Sequence, residues 1–237
     1  MKLTSETKLL AVMGAIVALG VGFLTFSNRL TGAAEPTPAP PATPPPMDKV
    51  RFDNLLKQTR HIKGNPNARF TVIEFADFQC PNCRRTHHRY LKDFGKSIDV
   101  RFGFHHFPLE KPHLFAVSAA IAAELGEKQG KFWETYEALF RDPEKDLDQP
   151  YIDAAVAKVG IPASIYEAAK SDTDLANFVS ADQQLGRDLG VDQTPTFFIY
   201  DAKTQVVTVA PGTTKLLTVL KGVPGVPTPE PSAPPTK

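Results

Sequence analysis

Thr71-Val72-Ile73-Glu74-Phe75-Ala76-Asp77-Phe78-Gln79-Cys80-Pro81-Asn82-Cys83 is the stretch on which the reading of this chain turns. It begins as an apolar, β-branched run of strand length. It ends in two cysteines separated by two residues, and beyond Cys83 the sequence turns polar and long-chained through Lys92, as an exposed helix would. A proline at the first helical position is pre-organised for a helix start and gives up no N–H that the helix needs. The pattern predicts a strand, a tight loop and a helix from about Pro81 to Phe94, with Gly95 as its cap. Cys80 and Cys83 then sit in the first turn. A helix N-terminus presents unpaired N–H groups and a positive dipole end, which stabilise a thiolate and make it a nucleophile at neutral pH.

Cys80 and Cys83 are the only cysteines in the chain. As a structural staple they are poor, because so short a loop constrains the unfolded chain by only about 2 kcal/mol. As a zinc site they lack two ligands, although His87 follows on the same helical face and supplies a third donor. Redox chemistry is the first reading, metal binding the second and an inert pair the third.

A net charge of +1 over 237 residues offers no broad field for nucleic acid. The 22 prolines concentrate at the two ends. Leu9–Phe26 contains no charge and is just long enough to span a bilayer, with Lys2 and Lys8 before it and Arg29 after. Residues 1–30 are therefore expected to be an uncleaved, single-pass membrane anchor that places the rest on the periplasmic, extracytoplasmic side. A cleaved signal peptide ending near Gly32-Ala33-Ala34 is the alternative. Either reading exports the cysteines to a compartment where a disulfide can persist. Residues 31–47 should form an extended Pro-rich spacer, and residues 222–237 a disordered Pro-rich tail.

Residues 48–221 have the composition of one globular domain. Asp48–Thr59 reads as a short helix, His61–Phe70 as turn-rich, and Val100–Pro108 as a second strand. His105 and His106 end that strand on opposite faces, and are expected to be half-buried residues that do not share a site. Five helices follow: His113–Leu125 stopped by Gly126, Gln129–Phe140, Pro150–Val159, Pro162–Lys170 and Thr173–Leu189. The aromatic stripe through Phe132, Trp133, Tyr136, Leu139 and Phe140 reads as core. Five consecutive helices exceed a simple β–α–β unit, so residues 112–190 read as a helical insertion. A hairpin, Thr196–Tyr200 and Gln205–Val209, and a helix, Thr213–Lys221, close the domain.

Glu74 before the Cys80-Pro81-Asn82-Cys83 loop, the helical insertion, and Thr194-Pro195-Thr196-Phe197-Phe198 before the hairpin together resemble a DsbA-like thiol–disulfide oxidoreductase. The resemblance implies an α/β, thioredoxin-like fold with an inserted all-helical subdomain, and it covers about residues 60–222. Cys80 would be the nucleophile that forms the mixed disulfide, and Cys83 the buried partner that closes the redox disulfide. Pro81 and Asn82 would form the active-site loop. Thr194 and a cis Pro195 would receive an extended substrate segment by strand pairing. Glu74 would be a buried acid of raised pKa that exchanges a proton with Cys83. No metal or organic cofactor is implied. The implied partners are exported cysteine-containing proteins and a membrane redox partner of the DsbB or vitamin-K-epoxide-reductase type. A reductase or isomerase, or a copper- or zinc-handling module using Cys80, Cys83 and His87, are the other readings. One residue departs from the strongly oxidising members: Asn82 stands where they carry His. An amide can donate to a thiolate but carries no charge, so a weaker oxidant is expected unless Arg84 or His87 compensates.

Overall fold

The computed structural model describes residues 46–92, 94–224 and 226. The anchor expected at Leu9–Phe26, the spacer up to residue 45 and the tail from residue 227 lie outside these. Among the described residues no helix is long and apolar enough to cross a membrane.

Five strands form one sheet: β1 His61–Gly64, β2 Phe70–Ala76, β3 Val100–His106, β4 Thr196–Asp201 and β5 Val206–Pro211, in the order β1-β3-β2-β4-β5. β2 lies at the centre, parallel to β3 and antiparallel to β4, and all seven of its residues are buried. Both its faces are covered, which is why it reads as an uninterrupted apolar run rather than an alternating one. Period-2 alternation still sorts the side chains. Ile73 and Phe75 join Phe52, Leu55, Phe107, Val191 and Phe198 on one face. Val72 and Ala76, with Glu74 between them, face the larger core that holds both cysteines, Phe102, Phe104 and Tyr136.

α1 Lys49–Gln58 starts on Asp48, whose carboxylate accepts the Arg51 N–H at 2.8 Å. It buries Phe52 and Leu55 against the first face. β1 is an edge strand that the sequence did not suggest. It has four residues and is masked by the turn formers after it. Its Gly64 has φ +96°, and a Cβ there would lie 2.6 Å from Val100 O, so only glycine fits.

α2 Pro81–Thr86 begins at Pro81 as expected but is shorter than expected. The Thr86 hydroxyl bonds back to Asn82 O at 2.7 Å, a contact that bends helices. A π turn, His87–Leu91, takes over, with Lys92 N–H bonded to His87 O at 3.1 Å, and a separate 3₁₀ turn covers Phe94–Lys96. Gly95 therefore lies inside that turn and caps nothing.

Between β3 and β4 come α3 Ala116–Lys128, α4 Phe132–Phe140, α5 Gln149–Lys158, α6 Ala163–Ala169 and α7 Thr173–Asp188. The expected stop at Gly126 is not one. Gly126 lies within α3 with the Thr135 side chain of α4 packed against it, and Gly130, at φ +66°, follows the true end. α3 to α6 build the larger core. α7 crosses to the other face, where a Cβ on Gly186 would meet the Phe107 ring at 2.5 Å. α8 Thr213–Val219 closes the fold. Val223 is buried and Ser97 donates to Pro224 O at 3.1 Å, so the packed body continues past Lys221, where the tail was expected to start.

Candidate active site

Three backbone elements bring the cysteines together with residues more than a hundred positions away. β2 ends at Ala76, and Asp77 then fixes the loop. Its carboxylate accepts the N–H of Gln79 at 2.7 Å and of Leu109 at 2.9 Å, and meets His113 Nδ1 at 2.6 Å. Gln79 Oε1 accepts the Phe115 N–H at 2.7 Å. The residues just before Cys80 are thus tied to the segment that leads into the insertion.

Cys80 is the extended N-cap of α2 and Pro81 its first helical residue. The Thr194–Pro195 bond is cis, and the Cys80 sulfur lies 3.5 Å from Thr194 O, to which it donates when protonated. The expected cis proline therefore lies beside the loop, and Thr194 touches Cys80 through its backbone. Cys80 is 5% exposed and Cys83 0%.

Position separates the two thiols chemically. Cys80 is lowered to about 6, first by a hydrogen bond from the Cys83 thiol, with the N–H groups of Cys83 and Asn82 adding to it against the cost of burial. Cys83 is pushed well up, first by burial and then by Cys80 and Glu74. At neutral pH Cys80 is a thiolate and Cys83 a thiol that hydrogen-bonds it.

Glu74 is fully buried, and burial raises its carboxyl to about 8. Its Oε2 accepts a hydrogen bond from Tyr136 at 3.4 Å, and its Oε1 has no hydrogen-bond partner. A carboxyl so placed is protonated at neutral pH, is raised further by the Cys80 charge, and in turn helps to raise Cys83.

The residues around the pair differ from expectation. The Asn82 side chain is exposed and its oxygen accepts from Arg85 at 2.7 Å, so it is the Asn82 backbone N–H that stabilises Cys80. Arg84 is buried but turns away from the sulfurs. Its guanidinium donates to the carbonyls of Phe78 at 3.4 Å, Leu139 at 3.0 Å and Lys145 at 2.9 Å, and to that of Asp142. His87 is buried, stacks on Phe140 at 4.9 Å, and is lowered by burial, so it is neutral at neutral pH. Neither residue replaces the missing cation.

Nor does His87 join the cysteines as a ligand. Among the described residues the donors that converge closely enough to share an ion are His61, His106 and Glu124. Their arrangement is that of a hydrogen-bonded carboxylate. Glu124 Oε1 accepts from His61 Nε2 at 2.6 Å and from His106 Nε2 at 2.8 Å, and Oε2 accepts from Arg60 at 2.7 Å. His105 points to the opposite face, where it meets Asp182 at 2.7 Å and Thr59 at 2.9 Å. The two histidines do face apart, but both are fully buried rather than half-buried, because each finds a carboxylate on the insertion.

Sequence reading did not assign Tyr136, Asp77 or Gln79 to the site, and placed Arg84 there only as a candidate cation to compensate for Asn82. Tyr136 is in the core as expected, but nothing along the chain says that its hydroxyl reaches a residue 62 positions earlier.

Comparison with known proteins agrees with this geometry. A thioredoxin family model matches residues 56–211. A thioredoxin-like oxidoreductase from Silicibacter pomeroyi superposes with a TM-score of 0.56 at 23% identity, covering 67% of this chain and 86% of that one. DsbA2 of Pseudomonas aeruginosa gives 0.52 at 26% identity, over 68% and 92%. The thiol-disulfide exchange protein α-DsbA2 of Wolbachia pipientis gives 0.58 at 20%, over 73% and 89%. Among curated proteins, the Na(+)/H(+) antiporter NhaA 1 of Mycolicibacterium gilvum is 26% identical over 198 residues, which is 82% of this chain and 30% of the antiporter. NhaA 1 of Mycolicibacterium vanbaalenii is 31% identical over 144 residues, 59% of this chain and 23% of the antiporter. The chain thus spans less than a third of the length of these curated relatives. It belongs to the thioredoxin family, and its fold is that of the DsbA-like thiol–disulfide oxidoreductases.

Proposed function

We propose that the chain exchanges disulfides with exported, cysteine-containing proteins through Cys80 and Cys83. The observation that carries this reading is the opposite displacement of the two thiols, Cys80 down to about 6 and Cys83 well up, beside a buried Glu74 at about 8. That is the arrangement an exchange catalyst needs: one sulfur that leaves and attacks as thiolate, and one that stays neutral until a base takes its proton.

In the oxidising direction a substrate thiolate attacks Cys80 of the Cys80–Cys83 disulfide. The Cys83 sulfur leaves as thiolate and takes the Glu74 proton. A second substrate thiolate then attacks the substrate sulfur of the mixed disulfide and releases Cys80 as a stabilised thiolate. Two electrons pass from two substrate thiols to the cysteine pair. Thr194, whose carbonyl lies 3.5 Å from the Cys80 sulfur, supplies the backbone edge on which an extended substrate pairs beside the reacting bond. A membrane protein of the DsbB or vitamin-K-epoxide-reductase type reoxidises the pair. Leu9–Phe26 anchors the domain on the extracytoplasmic side of the membrane, or is removed as a signal.

Thiol trapping in living cells tests the direction of flow. A mostly disulfide pair marks an oxidase, and a mostly dithiol pair overturns that in favour of a reductase or isomerase. Cys83→Ser should accumulate substrates as mixed disulfides on Cys80, and Cys80→Ser should accumulate none. If Cys83→Ser captures nothing, exchange on proteins is not the function.

A further inference from the structure

One side chain of the insertion reaches Glu74 directly. Tyr136, from the middle of α4, is fully buried and directs its hydroxyl at Glu74 Oε2, 3.4 Å away. No other hydrogen bond reaches that carboxyl among the described residues, since Oε1 has no partner. A hydroxyl that meets a carboxylate can only donate to it, so this contact favours ionised Glu74 over protonated Glu74. It is long for an O–H donor, as suits a neutral carboxyl. Ionisation would draw it in, because charge-assisted bonds are shorter and stronger.

We propose that Tyr136 is a positioning residue that sets the pH at which Glu74 changes from proton donor to proton acceptor for Cys83. The claim rests on Glu74 exchanging a proton with Cys83, as in the function proposed above, and adds that the setting comes from the insertion rather than from the thioredoxin core. The consequence is directional. When Cys83 leaves as a thiolate, protonated Glu74 is required and Tyr136 contributes little. When Cys83 must attack the mixed disulfide, Glu74 must first accept its proton as a carboxylate, and the Tyr136 hydroxyl is the donor that makes this possible near neutrality.

Other charges face the same place. Cys80 and Cys83 lie on the loop side, and Cys80 disfavours a second negative charge. Lys63 of β1 has its ammonium 5.4 Å from the Tyr136 ring centre and 3.3 Å from Glu137 Oε1, and mildly favours ionised Glu74. Burial first, and then Glu74 and Glu137, hold the Tyr136 hydroxyl protonated, so Tyr136 acts as a donor and not as a base. His87, whose ring centre is 5.0 Å from that of Tyr136, is neutral at neutral pH. Among the described residues only Tyr136 hydrogen-bonds the carboxyl.

The test uses the full chain, with ¹³C-labelled Glu side chains to follow the Glu74 carboxyl by NMR in the reduced protein. Glu74→Gln assigns the signal. Tyr136→Phe keeps the ring and removes the hydroxyl, and should move the Glu74 midpoint upward by about one pH unit, the size of one hydrogen bond to a charged group. The second readout is the rate at which Cys83 displaces glutathione from a mixed disulfide at Cys80. In Tyr136→Phe its pH profile should move upward by the same amount, with a loss of about tenfold below the new midpoint and none above it. Attack of a substrate thiol on the oxidised protein should change less than twofold. Fluorotyrosine at position 136, a stronger donor of the same shape, should move the midpoint the other way and keeps the test open should the phenylalanine variant misfold. A Glu74 midpoint unmoved in both variants overturns the proposal, as does an equal rate loss at every pH. If the midpoint moves but Glu74→Gln leaves glutathione release unchanged, Tyr136 still sets Glu74, and it is the proton-exchange role of Glu74 that falls.

Discussion

Glu74 and Glu124 are both buried, at 0% and 1% exposure, yet their carboxyls lie far apart on the pH scale, at about 8 and about 2. Burial pushes both upward. Glu74 meets it with one long hydrogen bond from Tyr136, whereas Glu124 receives His106 and His61, which outweigh burial, while Arg60 donates to its other oxygen. The partner set, not depth, decides whether a buried acid is a permanent anion or a proton store. The fold uses the saturated carboxylate to tie β1 and β3 to α3 and the starved one beside the cysteines.

The largest expected effect breaks the saturated site. Glu124→Leu should cost about 3–5 kcal/mol, because it strips His61, His106 and Arg60 of their shared acceptor. Urea denaturation at pH 7 measures it, and a loss below 1 kcal/mol would contradict the assignment of Glu124 as a structural anion. Next comes the starved site, with the opposite sign. Glu74 is ordinarily ionised above about 4.5 in the unfolded chain but only above about 8 in the folded one. The native state therefore holds an extra proton between these values, and its stability falls as pH rises through that window. Glu74→Gln should remove this fall and be the more stable protein at pH 8, by about 2 kcal/mol. Parallel stability curves for the two proteins from pH 5 to 8 would refute the burial argument. Glu124, held low, contributes stability that is present above about 4.5 and lost as pH drops through about 2.

The smallest change carries the same logic to the sulfur. Asn82→His places a chargeable ring where an exposed amide now contacts Arg85. It should lower the Cys80 thiol by about one pH unit and make the disulfide more oxidising by about 30 mV. Iodoacetamide kinetics against pH and equilibration with glutathione read both. An unchanged potential would mean that the ring, like Asn82, turns to solvent.

Much of this was written in local pattern. The β2 run, the Pro81 helix start, all five inserted helices and the closing hairpin carry composition or period that points one way. The strand that escaped notice, His61–Gly64, is short and lies at the edge, so it lacks both the length and the apolar run that mark β2. The misplaced stop at Gly126 arose because a glycine required for helix packing looks like a glycine required for a turn. In the site, Cys80 and Cys83 were legible because they are the only cysteines in the chain, and Glu74 because it interrupts an otherwise apolar strand. Tyr136, Arg84 and the roles of His87 and Asn82 were not. Each depends on where a side chain points across a long loop closure, and that direction has no trace in one dimension.

His105 and His106 are consecutive on β3, and alternation sends one imidazole to Asp182 on α7 and the other to Glu124 on α3. One dipeptide therefore rivets helices onto both faces of the sheet, and all the carboxylates it uses belong to the insertion. The insertion is accordingly no detachable module. Excising it to recover a minimal thioredoxin would strand the imidazoles of His61, His105 and His106 together with Glu74, and such a graft would need apolar residues at all four positions.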